Sequence, residues 1–130
     1  MGKLDLSLKV LVVEDMLSMR QIIKNVLLDL EFKDIHDALN GQDGLEKLKT
    51  GGFGLIISDW NMPVMTGIDL LRGVRADPEL KSIPFLMITA EKVQTNIIEA
   101  VQAGVSGYLV KPFSPDTLAE KLTTILAKSS

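Results

Sequence analysis

The sequence predicts an α/β fold of (βα)5 form: a doubly wound parallel sheet of five strands with helices on both faces. Three observations predict it. Short apolar runs alternate with helix-period patterns along the 130 residues. The helical patterns stop at Gly51-Gly52, at Asp77-Pro78 and at Gly104. Three of the apolar runs end in ionisable groups: Val10 to Val13 in Glu14-Asp15, Leu55 to Ile57 in Ser58-Asp59, and Tyr108 to Val110 in Lys111-Pro112.

The first strand candidate is Lys9–Val13. The first helix follows from Met19, Ile22, Ile23, Val26, Leu27 and Leu30 at i, i+3, i+4, i+7 spacing, with Arg20, Gln21, Lys24 and Asn25 on the other face. Residues 34–37 form a short second strand. The second helix spans about 41–49, anchored by Leu45 and Leu48. Residues 55–58 form the third strand, and the third helix runs from about Gly67 to Ala76, where Asp77-Pro78 ends it. The fourth strand is Phe85–Thr89. The fourth helix, about 94–103, carries Ile97, Ala100 and Val101 and stops at Gly104, a good C′ residue. Gly107–Val110 is the fifth strand. The fifth helix opens on Ser114-Pro115-Asp116: a cap, an N1 proline and a first-turn acid. Its apolar stripe is Leu118, Leu122, Ile125 and Leu126. One domain over residues 1–130 is expected, with a core of about 8–127 and no output domain.

Composition narrows the function classes. Apolar residues make up 46% and charged residues 24%, as in an ordinary globule with a core. No apolar stretch approaches the ~20 residues of a membrane span, and the opening residues show no signal-peptide pattern. A cytoplasmic protein without membrane insertion is expected. The net charge of −3 argues against nucleic acid as a partner. The absence of Cys removes disulfides, thiolate metal sites and Cys nucleophiles. The single His36 rules out a multi-His metal site and leaves little room for a Ser-His-Asp triad.

In a parallel sheet all the carboxyl ends lie on one edge, and ligands bind there at the switch point of strand order. In a 2-1-3-4-5 order that point lies between the first and third strands. Glu14 and Asp15 then stand beside Asp59, with Thr89 and Lys111 on the same edge. Three carboxylates in one crevice repel, at ~4 Å by on the order of 4 kcal/mol per pair for an effective dielectric of ~20. A hard dication resolves this. Mg²⁺ takes oxygen ligands, few of them carboxylates, and leaves room for phosphate oxygens. A carboxylate between metal and lysine is a candidate phosphoryl acceptor. Taken singly, these residues have plainer readings: Glu14-Asp15 as a solvated loop, Asp59 as a helix cap, Thr89 as a β-former, Tyr108 as a half-buried aromatic. Trp60 is expected to be partly exposed beside the site.

The chain resembles response-regulator receiver domains of two-component systems, and among them the single-domain chemotaxis type. The resemblance covers nearly the whole chain. It is carried by Val12-Val13-Glu14-Asp15, Ser58-Asp59-Trp60-Asn61-Met62-Pro63, Gly67, Ile88-Thr89-Ala90-Glu91, Ala103-Gly104, Ser106-Gly107-Tyr108 and Lys111-Pro112-Phe113, in this order and at these strand ends. The resemblance implies the family's flavodoxin-like strand order, 2-1-3-4-5. The resemblance implies that Asp59 accepts a phosphoryl group from a histidine kinase. It implies Mg²⁺ on Asp15, Asp59 and the Asn61 backbone carbonyl, with Glu14 acting through a water. Lys111 and Thr89 would contact the phosphoryl group. Thr89 and Tyr108 would form the switch, and Asn61 and Glu91 would tune a relatively fast autodephosphorylation. The Lys111-Pro112 bond would be cis. The face around Gln94, Ile97, Val101, Tyr108 and Lys121 would bind a partner such as the flagellar motor switch, with a phosphatase as a further partner. A monomer is expected.

The chain departs from the chemotaxis pattern in places. Glu14 replaces the first Asp of the acid pair, Gln94 replaces a lysine on the motor-binding face, and Val101 replaces a small Ala. A receiver acting as phosphate sink or relay without motor binding is therefore the alternative. An Mg²⁺-dependent phosphohydrolase lacks support, because Asn61 stands where such enzymes place a general acid. A flavodoxin-like cofactor binder would set Glu14-Asp15 against an anion. The reading is of a switch rather than an enzyme, with only self-catalysed phosphotransfer and dephosphorylation.

Overall fold

The computed structural model describes residues 5–90 and 94–129. Ten elements alternate without exception: β1 (Lys9–Val13), α1 (Leu17–Asp29), β2 (Asp34–Ala38), α2 (Gly41–Leu48), β3 (Phe53–Asp59), α3 (Gly67–Ala76), β4 (Phe85–Thr89), α4 (Gln94–Gln102), β5 (Gly107–Val110) and α5 (Pro115–Ser129). The five strands form one sheet in the order β2-β1-β3-β4-β5, and every pairing is parallel.

The strands bury both faces, which is why they read as continuous apolar runs rather than as alternations. Leu11, Val13, Ile56, Phe85 and Met87 point to one side, where they meet Leu48, Leu70, Leu71, Val74 and Ala100 of α2, α3 and α4. Val10, Val12, Leu55, Ile57, Leu86, Ile88 and Leu109 point to the other, against Ile23, Val26 and Leu27 of α1 and Leu118, Leu122 and Ile125 of α5.

Local chemistry sets the boundaries. The Asn40 side chain accepts the Asp43 N–H at 2.9 Å and caps α2. Thr66, not Asp59, caps α3, through the Asp69 N–H at 3.3 Å. The Ser114 hydroxyl accepts the Thr117 N–H at 3.1 Å ahead of α5. Gly104 takes φ +94° after α4, a conformation that strains any residue with a Cβ.

Two expectations change. β3 starts at Phe53, two residues earlier than the apolar run suggests, and ends on Asp59 itself. Ile22 does not belong to the buried stripe of α1; it is 45% exposed. The inward residues are Ile23, Val26 and Leu27, and Ile22 is turned ~100° from Ile23 about the helix axis.

Candidate functional site

Register brings the site together. Val13 pairs with Ala38 on one side and with Ser58 on the other, Asp59 pairs with Ile88, and Thr89 pairs with Val110. Backbone bonds continue past the strand ends, from Glu14 N–H to Ala38 O at 3.0 Å, from Trp60 N–H to Ile88 O at 3.0 Å and from Lys111 N–H to Thr89 O at 2.7 Å. Glu14, Asp59, Thr89 and Lys111 thus stand on one edge.

Oxygens of Glu14, Asp15 and Asp59 lie within 4.8 Å of one another. Asp15 is exposed, whereas Glu14 and Asp59 are buried. Lys111 Nζ closes the group, 2.9 Å from Asp59 Oδ1 and 3.4 Å from Glu14 Oε1. The Met16 N–H donates to Glu14 Oε2 at 3.3 Å. Burial, and then the Asp59 charge, pushes the Glu14 carboxyl up to about 7, against the pull of Lys111. Burial also raises Asp59, although Lys111 bonds it and draws the other way. Burial alone would lower Lys111; the bonds and charges of Asp59 and Glu14 outweigh it and hold the ammonium above its ordinary range. Burial is the larger cause of both raised carboxyls and repulsion between neighbouring carboxylates adds to it, against the pull of the single lysine. Glu14, Asp15 and Asp59 each offer a carboxylate oxygen, the ligand type that a hard dication such as Mg²⁺ prefers, so the residues fit that ion.

Packing fixes the end of β3 from below. Gly67 N–H donates to Trp60 O at 2.8 Å, and a Cβ at Gly67 would lie 2.1 Å from the Asp59 carbonyl oxygen. Only glycine lets α3 start this close to the end of β3. The next loop is held by Gly41 N–H to Met65 O at 3.0 Å, and it contains Val64 at φ 68°.

The other expected residues fall as follows. Thr89 is fully buried at the end of β4. Asn61 is exposed beside Asp59, and Lys111-Pro112 is cis. Tyr108 is half-buried and meets Trp60 edge-on, with ring centroids 6.5 Å apart. Trp60 itself is only 8% exposed, a correction to the partly exposed position expected of it. It joins the core that includes Ile68 and Leu71 of α3 and Ala100 of α4, because Trp60 N–H donates to Ile88 O and Gly67 N–H donates to Trp60 O, holding residue 60 to the sheet edge. On the face expected to meet a partner, Ile97 is half-buried, while Val101 and Lys121 are exposed. Gln94 opens α4. Glu91 lies outside the described residues.

Sequence reasoning missed the arginines. Arg20 NH1 donates to the Glu14 carbonyl at 2.9 Å and its Nε pairs with Asp37 at 3.2 Å, bracing the acid loop from α1. Arg75 Nε donates to Gly104 O at 2.8 Å and its NH1 to Ile83 O at 2.7 Å, tying α3 to the loop after α4 and to the segment before β4. The Arg20–Asp37 and Arg75–Gly104 contacts join residues of different elements, and no local pattern announces them.

Comparison with known proteins agrees with this geometry. Residues 10–123 match the family described as the response regulator receiver domain. The chain is 52% identical over 125 residues to the chemotaxis protein CheY-3 of Vibrio cholerae serotype O1, covering 96% of each chain. It is 52% identical over 121 residues to the chemotaxis protein CheY of Pseudomonas aeruginosa, covering 93% of this chain and 98% of that one. The solved structure of the response regulator CheY4 of Vibrio cholerae superposes with a TM-score of 0.85 at 39% identity, over 92% of this chain and 99% of that chain. Among the described residues, no helix is long and apolar enough to cross a membrane.

Proposed function

We propose, from the premise that the chain belongs to the response regulator receiver domain family, that it is a phosphorylation-activated switch in a chemotaxis two-component system. The observation that carries the reading is Asp59 Oδ1 held 2.9 Å from Lys111 Nζ beside two further carboxylates.

In this reading an Asp59 carboxylate oxygen attacks the phosphorus of a histidine kinase's phosphohistidine. The P–N bond breaks, an acyl phosphate forms, and the freed imidazole nitrogen picks up a proton. Asp15, Asp59 and the Asn61 backbone carbonyl would hold Mg²⁺, with Glu14 reaching it through a water. The bound ion supplies charge neutralisation for the incoming phosphoryl oxygens. Lys111 stays charged at neutral pH because its carboxylate partners raise it, so it can transfer from Asp59 to a phosphoryl oxygen. Thr89 supplies a hydroxyl on the same edge, and Tyr108 stands on the neighbouring strand to report the change. Asn61 and Glu91 would tune hydrolysis. The protein turns over its own phosphoryl group rather than a substrate and acts in the cytoplasm as a monomer.

The output face would be α4, β5 and α5, with Gln94, Ile97, Val101, Tyr108 and Lys121, and the flagellar motor switch as its partner. Val101 is 62% exposed there, and that bulkier, exposed side chain favours a second reading, a phosphate sink without motor binding. Phosphotransfer from a labelled kinase in Mg²⁺ or EDTA tests the first part. Transfer should require Mg²⁺, and equal transfer in EDTA contradicts it. Binding of a flagellar-switch peptide with and without beryllofluoride decides between the readings. An affinity gain supports the motor, and no gain supports the sink.

A further inference from the structure

α4 is lightly anchored. Among its described side chains only Ala100 is buried, and Ile98 and Val101 face outward. α3, by contrast, buries Ile68, Leu70, Leu71 and Val74. What α4 lacks in packing it gains from one ion pair: Arg72 NH2 of α3 lies 2.5 Å from Glu99 Oε2 in the middle of α4. Arg72 has a second acid within reach on its own helix. Its NH1 is 3.7 Å from Asp69 Oδ1, one turn back. Asp69 competes for the guanidinium from the side that does not move with α4.

We propose that Arg72 is a latch that holds α4 in the unmodified conformation, and that Asp69 receives the guanidinium when α4 shifts. The inference rests on the reading of the chain as a switch. Lys111 bonded to the Asp59 carboxylate itself marks the conformation described as that of the unmodified acceptor. In that conformation Arg72 is closer to Glu99 than to Asp69. Movement of α4 would break the pair across the helices, and the pair within α3 would tighten in its place. A shared arginine thus has a partner in both states, which keeps the free-energy difference between them small. By linkage, whatever stabilises the unmodified state weakens binding of a phosphoryl analogue.

The two acids therefore act with opposite sign, a result that simple surface-charge effects would not give. The test is isothermal titration of beryllofluoride in Mg²⁺ buffer at low salt. Exposed pairs are worth little, so shifts of about two- to threefold are expected. Glu99→Gln and Arg72→Gln should bind tighter by that factor. Asp69→Asn should bind weaker by about twofold, and Arg72→Gln/Asp69→Asn should match Arg72→Gln alone. Salt of about 0.5 M should erase the differences by screening. Equal affinity in Glu99→Gln and wild type overturns the latch, as does a shift of Asp69→Asn in the same direction as Glu99→Gln. Failure of wild type itself to bind beryllofluoride overturns the switch reading, and the latch with it.

Discussion

Replacing Glu14 by glutamine tests whether the acid crevice holds more negative charge than the fold favours. The glutamate is fully buried, and its carboxyl is raised from 4.5 to about 7. A raised acid is better protonated in the folded than in the unfolded chain. Stability from this group is therefore fully present below pH 4.5 and is lost as pH rises to about 7. At about 1.36 kcal/mol for each tenfold change, that interval amounts to about 3 kcal/mol. Glutamine has the same shape, stays neutral and can still accept the Met16 N–H, so it should recover most of that loss at pH 8. For a chain of this length, about 3 kcal/mol corresponds to roughly 10 °C in Tm. The assay is thermal unfolding of both proteins in EDTA from pH 4 to pH 8. The difference between them should be near zero at pH 4, grow through the interval and level off above pH 7. A variant no more stable than wild type at pH 8, or a pH-independent difference, would refute the crowded-acid argument.

Mg²⁺ should stabilise the wild type in unfolding experiments, by about 2.7 kcal/mol at a hundredfold excess over Kd, and Asp15→Asn should lose most of that gain. An equal gain in the variant would place the ion elsewhere. Trp60 lies next to Asp59 and is buried against Tyr108, so its fluorescence should follow the same titration. Gly67→Ala sets a Cβ 2.1 Å from the Asp59 carbonyl oxygen; a loss of at least about 3 kcal/mol is expected in denaturant unfolding, and a neutral outcome would contradict the close approach. Val64→Gly removes a β-branched residue from φ 68°, at a position 83% exposed, and should raise stability by about 0.5–1 kcal/mol in the same assay.

Much of this architecture is visible in the chain because both periods are strongly written. The runs at Lys9, Phe85 and Gly107 begin and end where the strands do, and Thr66-Gly67 and Asp77-Pro78 bracket α3 as local chemistry dictates. The site is legible for the same reason, since parallel strands carry their terminal residues to one edge without any long-range detail. Ile22 escaped because apolar residues at adjacent positions both satisfy a helical template, and only packing decides which turns inward. Trp60 escaped because its burial depends on how the loop after β3 folds back, and loop paths carry no period. The bonds of Arg20, Arg72 and Arg75 escaped because each joins elements whose meeting is set by the whole fold. The charges of Glu14 and Lys111 could be placed from sequence, but the size of the Glu14 perturbation comes from complete burial at the β1 end.

The central claim is that Asp59 is the phosphoryl acceptor. Intact-mass measurement after incubation with acetyl phosphate and Mg²⁺ tests it most directly. A single phosphoryl adduct should appear on the wild type, fail to form when EDTA is present from the start and be absent from Asp59→Asn. An adduct that persists in Asp59→Asn, or none on the wild type at saturating donor and metal, would contradict the account.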